Sequence, residues 1–258
     1  MLNSTLVSSF RTLLPVLALL VAGVSAQADP DPDELLPVWT NQDSLLVDHT
    51  LVEVGRHPEF RIEASWPELR TPEPRDSLFA LAVEALAHAQ LQDFRSLLPP
   101  AHEPSIGVGS ALDMGWSATM ADSTWLSVKL FSYFYWDGAA HGMIANRSLT
   151  WLRPQARDLE LEQLFRPGTS WDTAIGDYCT RVLRERLGEM FFDDRPLTAD
   201  DFHAWNLLPG LMLITFDPYR VGPWAAGEQA VAIPLDSLST LLDPGLPLEM
   251  SSRSVMEE

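Results

Sequence analysis

Cysteine is nearly absent: Cys179 is the only one in 258 residues. No intramolecular disulfide can form, so stability outside a reducing compartment must come from a packed core, which a chain of this length can supply. Cys179 falls in a helical pattern, where a free thiol usually packs as a small apolar group. Lysine is equally scarce, with Lys129 alone, and 17 basic against 36 acidic residues leave a formal net charge of −19. Such a surface repels phosphate backbones, which disfavours nucleic acid, while it keeps the protein soluble and steers cationic partners toward it. Long apolar runs are missing too. The run from Leu13 to Val24 after Arg11 is shorter than the roughly twenty residues of a membrane span. It is followed by Val24-Ser25-Ala26 and Ala26-Gln27-Ala28, small residues that suit a signal peptidase. Residues 1–28 therefore read as a signal peptide, and the chain as exported, periplasmic or secreted, with no stable membrane anchor after cleavage.

Familiar catalytic motifs are also lacking. There is no Gly-x-Ser-x-Gly elbow, no His-Glu-x-x-His pair and no glycine-rich phosphate loop. Gly107-Val108-Gly109 lacks a third glycine and reads as entry to a strand. The six histidines are scattered, and His102-Glu103 has no second histidine at ligand spacing. Neither a metal nor a cofactor is expected.

What is present is a series of strands broken by a few helices. Residues 29–44 mix Pro, Asp and polar residues and read as a flexible leader. Leu51 to Val54 and Phe60 to Ala64 predict two strands joined through Gly55 to Pro58. Phe79, Val83, Leu86, Gln90, Phe94 and Leu97 recur at helical spacing after a capping Asp76, and Pro99-Pro100 stops the helix. Gly107 to Arg153 predicts three antiparallel strands. In the middle one Leu126, Val128 and Leu130 take one face, with Ser127 and Lys129 on the other. A short helix near Leu159 to Phe165 and a longer one capped by Ser170 follow. Strands near 206–208, 211–216 and 229–233 and a closing helix at 236–241 complete the pattern, before a tail, 244–258, that reads as frayed. Without regular βαβ alternation the fold class is α+β: antiparallel sheets with helices packed on them, in two abutting subdomains, 45–104 and 105–243.

The most informative stretch is YWDGAAHG, Tyr135 to Gly142. The strand before it turns aromatic on both faces, with Phe131, Tyr133 and Tyr135 on one side and Phe134 and Trp136 on the other. Either both sides are covered or some of the rings are offered to a partner. Asp137 and His141 are weak catalytic candidates, because an Asp can orient an imidazole into a base. No serine or cysteine stands out as a nucleophile for them. Asp137-Gly138 after an alternating strand is a hairpin signal, and His141 then serves to pin the loop to a carbonyl.

The aromatic strand end, the Gly-Ala-Ala-His run and the Leu-x-x-Leu-Phe element at Leu161 to Phe165 occur together with a later loop. That loop reads Phe-x-Pro-Tyr-x-Val-Gly-Pro-x-Ala-x-Gly, from Phe216 to Gly227, and Val231-Ala232-Ile233-Pro234 follows it. Together they resemble the extracytoplasmic domain family shared by the lysozyme-sensing anti-sigma factor RsiV and the N-terminal region of the peptidoglycan deacetylase PdaC. The family hairpin reads Tyr-x-Gly-Gly-Ala-His; here the His is kept and the glycine pattern is shifted. The resemblance, over Leu51 to Leu242, implies an α+β fold at the cell envelope and a partner that is either a cationic protein such as lysozyme or cell-wall glycan. The expected function is a non-enzymatic binding domain, with Tyr133, Tyr135, Trp136, Asp137, His141, Tyr219 and Trp224 as binding residues. The alternatives are an envelope hydrolase using His141 and Asp137, or a structural accessory protein.

Overall fold

The computed structural model describes residues 45–100 and 106–250. The stretches expected to be a signal peptide and a leader, the His102-Glu103 pair and residues 251–258 lie outside the described residues. The fold is α+β. Strands β1 (Leu46–Arg56), β2 (Glu59–Leu69), β3 (Ser110–Ala121), β4 (Trp125–Tyr135), β5 (Met143–Leu152) and β6 (Arg157–Asp158) form one sheet in that order. Strands β7 (Ala204–Leu208), β8 (Leu211–Phe216) and β9 (Gln229–Pro234) form a second, antiparallel sheet. The helices are α1 (Ser77–Ser96) and α2 (Trp171–Leu187). The short helices expected near 159–165 and 236–241 are 3-10 turns, Leu161–Leu164 and Leu235–Leu238.

One pairing departs from the antiparallel expectation. Phe60 to Ala64 of β2 run parallel to Ser110 to Met114 of β3. A parallel neighbour requires a crossover of a dozen or more residues, usually a helix, and α1 supplies it. The boundary expected at 104/105 thus lies between the helix and the second strand of a single crossover, within one continuous sheet.

Helix α1 buries Phe79, Val83, Ala87, Leu91 and Phe94, a stripe at helical spacing, on one face of the six-stranded sheet. Ile62, Leu112, Trp116, Val128, Leu130 and Trp151 answer from that face. Gln90 interrupts the stripe but is satisfied, accepting from Ser132 Oγ at 2.6 Å. Asp76 stands at the helix start, as expected of a cap, yet its carboxylate is used elsewhere. It takes a bidentate pair from Arg153, Nε to Oδ1 at 3.1 Å and Nη2 to Oδ2 at 2.8 Å, and accepts the Glu73 N–H. Burial alone would raise the Asp76 carboxyl, but these bonds outweigh it and hold the group below its ordinary range. Arg153 also donates to Asp122 O at 2.7 Å, so a single guanidinium joins the helix start, the β3–β4 turn and the end of β5.

The second core lies on the opposite face of the first sheet. The β3–β4 register shifts between Ala118 and Met120, a bulge beyond which Met120, Trp125 and Leu152 belong to a cluster with α2 and the second sheet. Ile175, Cys179, Val182 and Leu183 supply the helix side of that cluster. Cys179 is buried and its thiol pKa is pushed up by desolvation, so it packs as the sequence predicts. Leu246, Leu248 and Met250, in the stretch read from sequence as the start of a frayed tail, pack against this core, and Trp125 Nε1 donates to Pro247 O.

Because Asp76 is fully buried, Arg153→Ala leaves an uncompensated charge and should cost about 3–5 kcal/mol in urea unfolding. The double replacement Asp76→Leu with Arg153→Met should cost clearly less. Equal costs would contradict the reading of Arg153 as the counter-charge.

Candidate functional site

Ser127 and Lys129 correct the simplest reading of β4. Alternation places them opposite Leu126, Val128 and Leu130, which suggests a solvated face, yet both are buried. The cover is β7, an edge strand of the second sheet. An edge leaves N–H groups unpaired, and serines of the first sheet take them: Trp205 N–H donates to Ser148 Oγ at 2.8 Å and Leu207 N–H to Ser127 Oγ at 3.0 Å. Asn206 Nδ2 adds bonds to Ser127 Oγ and the Val128 carbonyl. A polar seam and a solvated face share one sequence pattern, so alternation does not separate them.

The seam continues to Asn146 of β5, which is fully buried. Its Nδ2 donates to Asp217 Oδ1 at 2.8 Å and to Glu228 Oε2 at 2.7 Å, and its N–H donates to Asp217 Oδ1 at 2.9 Å. Glu228 also receives Lys129 Nζ at 3.0 Å. Asp217 and Glu228 flank the β8–β9 loop, so this arrangement ties both ends of the loop to the first sheet. Burial would raise the Asp217 carboxyl, but hydrogen bonds from His203 and Asn146 outweigh it and lower its pKa. Behind the loop, fully buried Asp201 takes a bidentate pair from Arg195 at 2.8 Å, and Arg220 Nε lies 2.6 Å from its Oδ1. Desolvation works against its ionisation, yet bonds from Arg195 and the Thr198 N–H and the charge of Arg220 bring its pKa down to about 2.

The loop opens with a tight turn, Arg220 N–H donating to Asp217 O at 3.1 Å. Pro218 takes the second position. Tyr219 takes the third at φ +69°, where type II turns favour Gly or Asn. A bulky residue in the left-handed region is strained by about 1–2 kcal/mol. The strained residue is 48% exposed and points its hydroxyl at His141 Nε2, 3.4 Å away. His141 stacks on Trp224 with centroids 4.4 Å apart and planes 18° off parallel. The hairpin and the β8–β9 loop, 78 residues apart between His141 and Tyr219, thus form one aromatic corner. Tyr133 borders it: its ring lies over Gly142, where a Cβ would overlap it.

The remaining candidates lie elsewhere. Trp136 is on the helix side, stacked on Phe94 at 5.0 Å and on Phe134 at 6.3 Å. Tyr135 lines a trough with Arg61, Val108 and Tyr133. Asp137 is a staple, accepting the N–H groups of Ile106 at 2.6 Å and Gly109 at 3.1 Å, beside Gly138 at φ +82° in the turn. His141 Nδ1 lies 2.9 Å from Gly142 O, the carbonyl pin expected of it, and its other nitrogen faces Tyr219. Neither ring nitrogen is left to be oriented by Asp137. Among the described residues no three His, Cys, Asp or Glu side chains converge as metal ligands would. Sequence reading missed Asn146 and Glu228, and no local signal marks either.

The β8–β9 loop, α2 and the second sheet fall within a stretch that matches a known family. Residues 162–236 match the DUF3298 family. Its description is a protein of unknown function. The architecture is similar to a solved DUF3298 family protein from Pseudomonas aeruginosa PAO1, 15% identical, with a TM-score of 0.57 over 77% of this chain and 95% of that one. It is also similar to a DUF3298 member from Bacteroides fragilis, 17% identical, with a TM-score of 0.53 over 77% of this chain and 92% of the other. At these identities the likeness is one of fold. No curated protein matches the chain. The DUF3298 stretch contains Tyr219 and Trp224 but not the hairpin, so the aromatic corner joins the matched segment to a part of the chain before it.

If Tyr219 is held in a strained turn for recognition, Tyr219→Gly should leave the domain as stable or up to about 1 kcal/mol more stable, despite losing a ring. A loss of more than about 1 kcal/mol in thermal or urea unfolding would make the ring part of the fold instead.

Proposed function

We propose that this chain is an exported, non-enzymatic binding domain of the cell envelope that captures a cationic protein, such as lysozyme, at the corner of His141, Tyr219 and Trp224. The observation that carries the reading is the strained, exposed Tyr219, supported from beneath by buried carboxylate contacts and flanked by a stacked His141–Trp224 pair. Rigid Tyr and Trp rings on a fixed backbone are typical interface anchors, because they contribute area with few torsions to order. The net charge of −19 supplies long-range attraction for a basic partner. The resemblance to envelope domains that include a lysozyme sensor points the same way. A hydrolase reading has less support, since His141 is engaged through both nitrogens and Cys179 is buried.

Among the described residues no helix is long and apolar enough to cross a membrane. Titration of the purified chain with lysozyme should give saturable binding that weakens from low to moderate salt. Trp224→Ala and Tyr219→Ala should each reduce the affinity at least tenfold, about 1.4 kcal/mol. Absence of binding at both salt concentrations would remove the lysozyme reading.

A further inference from the structure

The six-stranded sheet has one face under α1, and the second core covers only part of the other, around Met120, Trp125 and Leu152. The uncovered part forms a groove of about 790 Å³, within the roughly 300–1,000 Å³ usual for ligand sites. Its floor is Phe131 and Tyr133 of β4, flanked by Val52 of β1 and Ile144 of β5. Toward β7 it ends in Ser117, Lys129 and Glu228.

Two features make the floor a platform. Phe131 pairs in register with Gly115, and a Cβ at that glycine would fall 2.7 Å from the Phe131 ring. Tyr133 lies over Gly142 in the same way. A ring laid across a glycine has one side on the backbone and the other open to solvent, and these rings are 42% and 39% exposed. Their orientation is set before any ligand arrives, so little freedom is lost on binding. They come from alternate residues of one strand, with Cα atoms about 6.8 Å apart, and lean to opposite sides of it, Phe131 toward β3 and Tyr133 toward β5.

The polar groups identify the occupant. Arg61 donates to Glu63 at 2.6 Å and to Asp113 at 3.0 Å, and Lys129 donates to Glu228 at 3.0 Å. Three carboxylates thus share two cations, both already engaged, so the groove keeps a residual negative charge and an anionic ligand is disfavoured. A hydrocarbon chain would leave polar groups unsolvated along its length. Ser117 sharpens the distinction: it is buried and lines the groove, and its Oγ has no hydrogen-bond partner in the protein. The matching ligand carries no negative charge, has flat apolar faces for the two rings, and offers hydroxyls to the carboxylates and to Ser117.

We propose that this groove binds a linear oligosaccharide, its pyranose faces stacked on Phe131 and Tyr133 and its hydroxyls bonded to Ser117, Glu63, Asp113 and Glu228. The groove adjoins the corner of Tyr219 and Trp224 through Tyr133, but Phe131 and Ser117 belong to the groove alone, so variants at those two positions test it independently of a protein partner at the corner. The test is calorimetric titration of the full chain with N-acetylchitohexaose and with cellohexaose. Saturable binding to at least one sugar is expected, weakened at least tenfold by Phe131→Ala and severalfold by Ser117→Ala. Ser117→Ala removes only an unpartnered hydroxyl and should leave the melting temperature unchanged or raised. Should Phe131→Ala fail to fold, Ser117→Ala decides: full affinity in that variant overturns the proposal. No binding of either sugar overturns it as well. So would saturable binding of an oligoarginine peptide that is lost in Phe131→Ala while neither sugar binds, which would assign the groove to a basic chain.

Discussion

The amide of Asn146 holds the two sheets in the relation on which the exposed surfaces depend. Two carboxylates, Asp217 and Glu228, converge on its Nδ2, with Lys129 answering the second. Charged acceptors make these bonds roughly twice as strong as neutral ones, and their burial makes each expensive to leave unmade. An apolar contact at the same place would bring the loop close without fixing where Tyr219 and Trp224 point. Two carboxylates at opposite ends of one loop, both bound to one side chain, fix its position and its direction.

The same logic extends along the seam. The second sheet presents the unpaired N–H groups of β7 to the first, and Ser148 and Ser127 accept them. Sheets that meet across apolar faces can slide or rotate with little penalty beyond packing. Here a shift of one residue would break several buried hydrogen bonds together. Arg153 with Asp76 and Arg195 with Asp201 lock the periphery in the same manner. The apolar clusters on either side provide most of the driving force, and the polar groups select a single arrangement.

Much of this was legible in the sequence, for identifiable reasons. Helix α1 follows from its apolar spacing and its proline stop. The β3–β4–β5 meander follows from alternation, and Asp137-Gly138 marks its second turn. The resemblance brings residues of both loops into one set of binding candidates without saying that they touch, and His141 reads as a loop pin because it follows an Asp-Gly hairpin signal. What stayed hidden depends on partners distant in sequence. Asp76 reads as a helix cap because its local position fits one, while Arg153 lies 77 residues away. Trp136 reads as a binding ring because alternation does not say which face α1 will cover. Ser127 and Lys129 read as solvated because a seam and a surface have the same period. The parallel β2–β3 pair also escapes, since the helix between them is as compatible with a separate subdomain as with a crossover.

The central claim is that the Asn146 amide, more than the general packing of the two sheets, fixes the β8–β9 loop against the hairpin. Hydrogen exchange followed by mass spectrometry on the Asn146→Ala chain tests it directly. The account predicts faster exchange confined to residues 217–228 and the hairpin around His141, with α1, α2 and the central strands as protected as before. Unchanged protection in the loop would contradict it, and so would a uniform rise in exchange across the whole domain.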